Sequence, residues 1–318
     1  MTHEVEVLIL TAELDFATDR ICRALGERGV RYLRLNREHI PQLGLTLDPV
    51  LPELRCTHLG QRWRIGRVLR AVWWRQGTFD RFATTAASIQ DQMIRSQGGA
   101  FMRSMMVFDQ ARWLNPPAAT YRAETKAVQL LEADRLGFDV PATVMTNDPA
   151  DGWAGPGDQE VALKSIDTLL LRDGEDQFFG YTTLTRADAV ATEELRAAPA
   201  TVQKAVRNKL DLRVTVLGER WWCASIGRAG RGVEGDWRVT SKAELDIQAY
   251  DLPAVVAERC VALVRQLGLV YGAIDLAVAE GRHWFIEINP TGEWGWLDAD
   301  RSISTAIAEE LACAYQPA

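Results

Sequence analysis

The chain has 318 residues, of which 47% are hydrophobic and 25% charged, as in ordinary soluble proteins, and its length allows two or three domains. The net charge of −7 argues against a general nucleic-acid binder, and five scattered cysteines fit reduced thiols better than a disulfide framework or a zinc site. Neither a signal peptide nor an apolar run of membrane-spanning length is visible, so we expect a cytoplasmic protein with no nucleic-acid or membrane partner.

Residues 1–115 predict a small N-terminal α/β domain. A strand at Glu4–Leu10, a helix at Asp19–Arg28 and a strand at Val30–Leu35 form a β-α-β start, whose first loop lacks the glycines of a Rossmann site. The next predicted elements are strands at Leu45–Leu47, Trp63–Ile65 and Ala71–Trp74 and one long or two shorter helices within Thr84–Ala111. Asn115-Pro116-Pro117 then marks the end of this domain, because a proline disfavours the helical conformation at the residue before it.

Residues 116–199 predict a compact central domain in which helix alternates with strand. Its predicted elements are a helix at Arg122–Leu136, strands at Val140–Thr146, Glu160–Ser165 and Phe178–Leu184, a closing helix at Thr185–Ala197 and a linker from Pro199. Loops rich in glycine and aspartate lie at Asp151–Asp158 and Asp173–Asp176.

Residues 200–318 predict a third domain. In the strand Leu210–Leu217 apolar residues alternate with Asp211, Arg213 and Thr215, so the polar residues share the outward face. The other predicted elements are a strand at Trp221–Ile226, a mobile glycine-rich loop at Gly227–Asp236, a helix at Asp251–Leu267, a hairpin at Tyr271–Asn289 and a helix at Ile303–Ala314.

The hairpin carries the clearest chemical signal. A turn at Glu280-Gly281-Arg282 places Asp275 opposite Glu287, and facing carboxylates repel each other unless a cation lies between them. With the amide of Asn289 they form an all-oxygen ligand set that suits magnesium, which commonly binds substrate phosphates as well and so implies a nucleotide. A solvated polar face on a half-buried hairpin is the alternative.

Strand alternation also assigns the neighbours of these ligands to faces. Side chains alternate along a strand, so Phe285 should share the face of Glu287 and Asn289, while Ile286 should point the opposite way.

Basic residues elsewhere could complete such a site. Lys164 is isolated in an apolar strand and can place a charge on phosphates, although a surface lysine is the simpler explanation. Lys126 lies in the first turn of its helix, where the helix dipole disfavours a positive charge. Arg213 could stabilise charge on a transferred group, and Arg238 follows the glycine-rich loop, from which it could close on a substrate.

The remaining candidates concern substrate and mechanism. Trp294 and Trp296 lie in a glycine-rich stretch after the second strand of the predicted hairpin, His283–Asn289, which we call the metal strand. They are candidates for a peptide-binding wall. The sequence contains no evident serine or cysteine nucleophile with a base beside it, which favours metal-assisted phosphoryl transfer over a covalent enzyme intermediate.

Six motifs in this order resemble the ATP-grasp ribosomal peptide maturases, the macrocyclases of microviridin-type peptides, also called graspetides. They are V-W-W-R-Q with Arg75, W-L-N-P-P followed by Lys126, L-G-F-D-V-P-A-T-V-M-T-N-D-P, K-L-D-L-R-V-T-V-L-G with Asp211 and Arg213, D-W-R with Arg238, and F-I-E-I-N-P-T-G-E-W-G-W with Glu293 and Trp294. The resemblance spans Val5 to Trp296. It implies an ATP-grasp fold of the α/β (α+β) class, with a pre-ATP-grasp α/β domain, a small central domain and a C-terminal antiparallel-sheet domain.

The resemblance also implies roles for individual residues. ATP would lie between the central and C-terminal domains, with Lys126 and Lys164 near its phosphates, and the linker Arg172–Gln177 would cover them. The adenine would bind the backbone of a hinge made of Gln203, Lys204, Ala205 and Val206. Asp275, Glu287 and Asn289 resemble the Mg²⁺ ligands, and the catalytic residues would be Arg213, Lys164 and Asp211. The candidates for substrate binding are Arg75, Arg238, Glu293 and Trp294.

The implied activity is ATP-dependent macrocyclisation of a ribosomal precursor peptide with a leader and an acidic core. An Asp or Glu side chain would be phosphorylated and then attacked by a Ser or Thr hydroxyl or a Lys amine, giving an ester or an amide. Relatives are commonly dimers, so a homodimer is expected. The alternatives are an ATP-grasp amino-acid or glutamate ligase acting on a protein or peptide terminus, and a nucleotide-binding scaffold without turnover.

Overall fold

The computed structural model describes residues 2–76, 88–150, 159–167, 170–173, 176–190 and 193–313. The chain divides into two compact units. The first takes the described residues of Met1–Tyr121, Gly268–Tyr271 and Pro290–Ala318, and the second those of Arg122–Leu267 and Gly272–Asn289. The three domains predicted from the sequence remain a prediction.

The fold mixes helices and strands, as the sequence predicts. The helices are α1 (Phe16–Glu27), α2 (Ile89–Ser104), α3 (Pro117–Glu124), α4 (Lys126–Arg135), α5 (Ala187–Val190), α6 (Ala254–Gln266) and α7 (Ser302–Ala312). The strands are β1 (Thr2–Val5), β2 (Val7–Thr11), β3 (Tyr32–Asn36), β4 (Gly44–Asp48), β5 (Glu53–His58), β6 (Gln61–Ile65), β7 (Ala71–Trp74), β8 (Arg112–Leu114), β9 (Thr143–Thr146), β10 (Glu160–Lys164), β11 (Leu170–Asp173), β12 (Asp176–Phe179), β13 (Thr183–Arg186), β14 (Ala200–Lys204), β15 (Leu210–Leu217), β16 (Arg220–Arg228), β17 (Arg231–Gly232), β18 (Asp246–Ala249), β19 (Tyr271–Ala279) and β20 (Arg282–Asn289). Among the described residues, no helix combines the length and hydrophobicity that crossing a membrane requires.

The first unit contains two four-stranded sheets. The order β3-β2-β7-β8 is wholly parallel, and β1-β6-β5-β4 forms the other sheet. The predicted single strand Glu4–Leu10 is in fact two strands, one in each sheet. The chain changes sheet at Glu6, whose carbonyl accepts from the N–H of Arg70 and whose carboxylate pairs with Arg31 and Arg70.

The second unit contains the sheets β13-β10-β14-β9, β11-β12 and β17-β16-β15-β19-β20, with β18 also paired to β16. The central strand β15 is buried on both faces, with Leu212, Val214 and Val216 fully inaccessible. The helix α4 packs along the edge strand β20. This unit holds the hairpin that the sequence singled out.

Several predicted elements differ from the structure. The predicted helix Arg122–Leu136 is two helices, because Thr125 takes an extended conformation (φ −77°, ψ 103°) and begins α4 as its N-cap. The predicted strand Phe178–Leu184 is divided between β12 and β13. Within the predicted helix Thr185–Ala197, the first two residues end β13, Ala187–Val190 is a short α-helix and Glu193–Ala197 is a 3-10 helix. The predicted linker after Pro199 is the strand β14. The strands β5, β8, β11 and β18 were not predicted, and β17 lies within the predicted loop Gly227–Asp236.

Some predictions fall wholly or partly outside the described residues. The loop Asp151–Asp158 is one of them. Parts of the linker Arg172–Gln177, of the loop Asp173–Asp176 and of the helices predicted at Thr84–Ala111, Thr185–Ala197 and Ile303–Ala314 also lie outside.

Candidate active site

The hairpin β19–β20 brings the two predicted carboxylates to facing positions. Asp275 pairs with Glu287, and Asn289 pairs with Ala273 two residues further along. The turn residues Glu280 and Gly281 have φ values of 52° and 72°, as in the tight two-residue turns that favour glycine. The predicted opposition of Asp275 and Glu287 is therefore confirmed.

A β-bulge changes the side-chain faces in β20. The register shifts between Asp275 and Leu276, so that Leu276 pairs with Phe285 and Ile286 is the extra residue. Phe285 is fully buried, whereas Ile286 lines the same cavity as Glu287 and Asn289. The predicted faces of Phe285 and Ile286 were wrong, because the extra residue reverses the alternation.

A cavity of about 340 Å³ within the second unit gathers side chains that are far apart in sequence. The predicted site residues on its walls are Lys126, Lys164, Gln203, Lys204, Val206, Asp211, Arg238, Asp275, Glu287 and Asn289. Both lysines predicted to meet phosphates and all three predicted metal ligands thus face one space.

Arg213 and Asp275 form a buried ion pair beside this cavity. Nε of Arg213 lies 2.6 Å from Oδ1 of Asp275, and the NH2 group donates to Oδ2 at 3.3 Å. Burial raises the pKa of Asp275, and the charge of Arg213 opposes this rise. The face of β15 that carries Asp211, Arg213 and Thr215 points into the protein and is buried, not solvated as an outward face would be.

Glu287 is held between two cations. Nζ of Lys126, the first residue of α4, donates to Oε2 at 2.7 Å, and NH1 of Arg238 lies 3.6 Å from Oε1. Although burial favours the neutral acid, the charges of Lys126 and Arg238 lower the pKa of Glu287 to about 2. Glu287 is therefore ionised at neutral pH, as a metal-binding carboxylate must be.

Lys164 enters the cavity from the end of β10. Its Nζ donates to Oε1 of Gln203 at 2.7 Å, and Nε2 of Gln203 donates to Oγ1 of Thr143 at 2.9 Å. Burial lowers the pKa of Lys164 to about 8, with the negative charge of Glu287 opposing the shift. Lys164 is not an exposed surface lysine.

The residues expected to bind adenine lie at the end of β14, an inner strand between β10 and β9. The N–H of Lys204 donates to the carbonyl of Ala142 at 2.8 Å, and the N–H of Ala205 donates to the carbonyl of Glu160 at 3.2 Å. These two donors serve the sheet. Gln203, Lys204 and Val206 contribute to the cavity wall.

The segment Asp236-Trp237-Arg238 forms another wall. The carboxylate of Asp236 is buried and accepts from Nε and NH2 of Arg238, both at 2.8 Å, and from the N–H of Thr182 at 3.3 Å. Burial raises the pKa of Asp236, but its bonds to Arg238 outweigh this and keep it below the usual value. The guanidinium of Arg213 lies 5.8 Å from the ring centre of Trp237.

The loop before this segment packs tightly against the strand that carries the catalytic candidates. A Cβ at Gly232 would lie 1.7 Å from the carbonyl oxygen of Lys209, so only glycine fits there. Lys209 forms a hydrogen-bonded ion pair with Asp211, and both line the cavity. Burial raises the pKa of Asp211 to about 6, although Lys209 opposes the shift.

Three candidates for substrate binding belong to the first unit. Trp294 is fully buried and donates from Nε1 to Ser304, so its prediction as a peptide-binding wall was wrong. Arg75 is 2% exposed, pairs with Asp15 and Glu293 at 3.4 and 3.0 Å, and stacks on Trp294, so it is a core residue rather than a substrate contact. Glu293 keeps 42% of its side chain exposed.

Sequence reasoning missed some residues of the site. Tyr181 lines the cavity, and Gln129 contacts the metal strand from α4. Neither has a signal in the sequence, because only packing brings them there. Lys209, Asp236 and Trp237, which lie within or next to the motifs K-L-D-L-R and D-W-R, also line the cavity.

The predicted ligands fit a magnesium ion chemically. Asp275 and Glu287 face each other, and Asn289 follows on the same cavity wall, which makes a set of carboxylate and amide oxygens. Within the described ranges no three Asp, Glu, His or Cys side chains cluster as a metal site would. Two carboxylates and one amide suit an ion that takes few protein ligands and completes its shell with phosphate oxygens and water.

Solved structures resemble the chain over nearly its whole length. The macrocyclase MdnC from Microcystis aeruginosa MRC, bound to precursor peptide MdnA, is 26% identical with a TM-score of 0.82, and the match covers 98% of this chain and 99% of MdnC. The chain has the ATP-grasp fold. The predicted resemblance to ATP-grasp peptide maturases is confirmed.

Two further ATP-grasp structures extend the comparison. A Chryseobacterium gregarium RiPP-associated ATP-grasp ligase, in complex with ADP and a leader and core peptide, is 24% identical with a TM-score of 0.81 and 96% coverage of both chains. The ATP-grasp ligase PsnB, complexed with minimal precursor, Mg and ADP, is 19% identical with a TM-score of 0.70 and the same coverage. No protein-family model matches the sequence. No curated protein matches it.

Proposed function

We propose that the chain is an ATP-dependent, magnesium-requiring ligase that cross-links side chains of a ribosomal precursor peptide. The observation that carries the proposal is the convergence of Lys126, Lys164, Asp275, Glu287 and Asn289 on one cavity, with Arg213 paired to Asp275 beside it. The ATP-grasp fold supports it, and so do the nucleotide and precursor peptides bound in the similar ligases.

The residues have separate roles in phosphoryl transfer. Lys126 and Lys164 place positive charge where the triphosphate would lie, and Gln203, Lys204, Ala205 and Val206 form the adenine end. Asp275, Glu287 and Asn289 would hold Mg²⁺, which neutralises phosphate charge when bound. The γ-phosphoryl group passes from ATP to an Asp or Glu carboxylate of the peptide, which yields an acyl phosphate and ADP.

The second step joins the activated carboxyl to a nucleophile of the same peptide. A Ser or Thr hydroxyl, or a Lys amine, attacks the acyl carbon, and phosphate leaves as the ester or amide forms. The guanidinium of Arg213 stabilises the negative charge that develops on the acyl oxygen. Asp211, whose pKa burial raises to about 6, accepts the proton of the attacking group. Arg238 and Glu293 are the proposed peptide contacts.

The deciding test incubates the protein with ATP, Mg²⁺ and a candidate acidic precursor peptide, followed by intact-mass and fragmentation analysis. Loss of one water per link with release of ADP supports the proposal, and fragmentation assigns ester or amide bonds. A mass gain would instead indicate an amino-acid or glutamate ligase. An unchanged mass without ADP release from several acidic peptides would contradict both.

A matched pair of variants separates an enzyme from a nucleotide-binding scaffold. Glu287→Gln removes a proposed metal ligand, whereas Glu280→Gln makes the same change at the exposed turn of the same hairpin. We expect product only from Glu280→Gln and the parent.

We further propose a homodimer, which light scattering on the purified protein would test.

A further inference from the structure

Gln129 contacts the metal strand from the helix α4. It lies three residues after Lys126 and is 4% exposed, although an amphipathic helix would normally place an apolar residue on its packed face. Its Nε2 donates to the carbonyl of Ile288 at 2.8 Å and to the carbonyl of Ala123 at 2.6 Å, and its Oε1 accepts from the N–H of Ile288 at 3.1 Å. Both polar atoms of the buried amide are thus used.

Ile288 lies between the predicted ligands Glu287 and Asn289 on β20, which ends its sheet. An edge strand presents a row of backbone N–H and C=O groups that no neighbouring strand pairs. The amide of Gln129 takes the place of a neighbouring strand at Ile288, with one donor and one acceptor. The carbonyl of Asp139 accepts from the N–H of Phe285 at 2.8 Å and holds the same edge beyond the bulge.

The α4 helix therefore acts on adjacent residues of β20 through two side chains. Lys126 donates to the Glu287 carboxylate, and Gln129 holds the Ile288 backbone. Because two ligands on an edge strand can bind one ion only at a fixed spacing, a contact that fixes the backbone between them bears on metal affinity.

We propose that Gln129 is a positioning residue for the metal site, whose side-chain amide fixes the backbone that carries Glu287 and Asn289. This inference rests on the proposed function, since it takes these two residues as magnesium ligands. Gln129 is not among the residues that line the cavity, so its role would be indirect.

The test measures ADP binding by calorimetry over a range of Mg²⁺ concentrations. Gln129→Met keeps the side-chain length and removes all three hydrogen bonds, and Gln129→Asn keeps an amide that is one methylene too short to reach Ile288. Both should require about tenfold more Mg²⁺ for half-maximal tightening of ADP binding, as loss of outer-shell support usually does. Their affinity for ADP without Mg²⁺ should stay within about twofold of the parent, because no nucleotide contact changes.

A destabilised control separates positioning from general weakening. Leu263→Ala truncates a fully buried side chain on α6 in the same unit and should leave the Mg²⁺ requirement unchanged. Hydrogen exchange gives a second readout, since the amide of Ile288 should exchange faster in both Gln129 variants than in Leu263→Ala. If Gln129→Met does not fold, Gln129→Asn carries the same comparison.

The outcomes distinguish the inference from the function beneath it. If the parent shows Mg²⁺-dependent ADP binding and the Gln129 variants keep its Mg²⁺ requirement, or shift it no more than Leu263→Ala does, the positioning role is overturned alone. If the parent binds no ADP with or without Mg²⁺, the proposed function is overturned and the inference with it.

Discussion

Arg213→Met tests the buried ion pair at the centre of the site. The substitution keeps an unbranched side chain but leaves Asp275 without its guanidinium. Removing one partner of a buried pair costs about 3–5 kcal/mol while the other stays charged. Asp275 can instead take up a proton, which costs about 1.4 kcal/mol for each pH unit above its ordinary pKa of 3.8.

Proton uptake therefore limits the loss of stability. The limit is about 4 kcal/mol at pH 7 and about 2 kcal/mol at pH 5. The sign follows from linkage: the folded variant holds a proton that the unfolded chain releases above its ordinary pKa, so stability falls as the pH rises. Urea unfolding of the parent and Arg213→Met at pH 5, 6 and 7, followed by tryptophan fluorescence, measures this difference.

Two control variants test whether the loss of stability comes from the unpaired Asp275. Thr215→Val changes the same buried face of β15, and its hydroxyl makes no hydrogen bond within the described residues, so it should cost nothing or stabilise slightly. Arg213→Met combined with Asp275→Asn should recover much of the loss and lose the pH dependence. A loss that stays constant from pH 5 to pH 7, or a double variant as unstable as the single one, would refute the argument.

Three other predictions are open to measurement. Asn115→Leu removes four hydrogen bonds of 2.7–2.9 Å to the backbone of Val270, Tyr271 and Pro290. At about 1 kcal/mol per bond, denaturant unfolding should show a free energy of unfolding lower by about 4 kcal/mol. A decrease below about 1 kcal/mol would show that these bonds contribute less than usual. Burial raises the pKa of Asp211 to about 6, so folding favours its protonated form. As the pH falls from 7 to 4, the free energy of unfolding of the parent should rise by about 1–3 kcal/mol relative to that of Asp211→Asn. A difference between the two proteins that does not change with pH would contradict this. Burial raises the pKa of the Cys22 and Cys56 thiols to about 11 and that of the Cys223 thiol to about 12. A thiol reagent at pH 8 should therefore label the exposed Cys313 first, which peptide mapping can check. Early labelling of the fully buried Cys260 would contradict this order.

Local patterns in the sequence were enough for the parts of the site that depend on one hairpin or one strand. The alternation of Leu210–Leu217 and the turn at Gly281 are properties of neighbouring residues, so β15 and the facing pair Asp275 and Glu287 could be predicted directly. Lys164 could be placed on a strand for the same reason, but not in a cavity.

The errors share one origin. The alternation of Phe285 and Ile286 fails because a bulge depends on how two strands pair, and β14 looked like a linker because its partners β9 and β10 lie elsewhere in the chain. Trp294 stands in a glycine-rich, motif-bearing stretch, yet its ring is enclosed by Trp73, Tyr271 and the guanidinium of Arg75.

By itself, the sequence determined the ATP-grasp class and the order of the elements that carry the site, and it predicted which residues would bind the metal ion. Only the tertiary structure decided which groups meet: Arg213 with Asp275, Lys126 with Glu287, and the amide of Gln129 with the backbone between two predicted ligands. The reason is physical. Periodicity states which face of an element a residue occupies, whereas burial and pairing depend on what covers that face, and the covering elements come from distant parts of the chain.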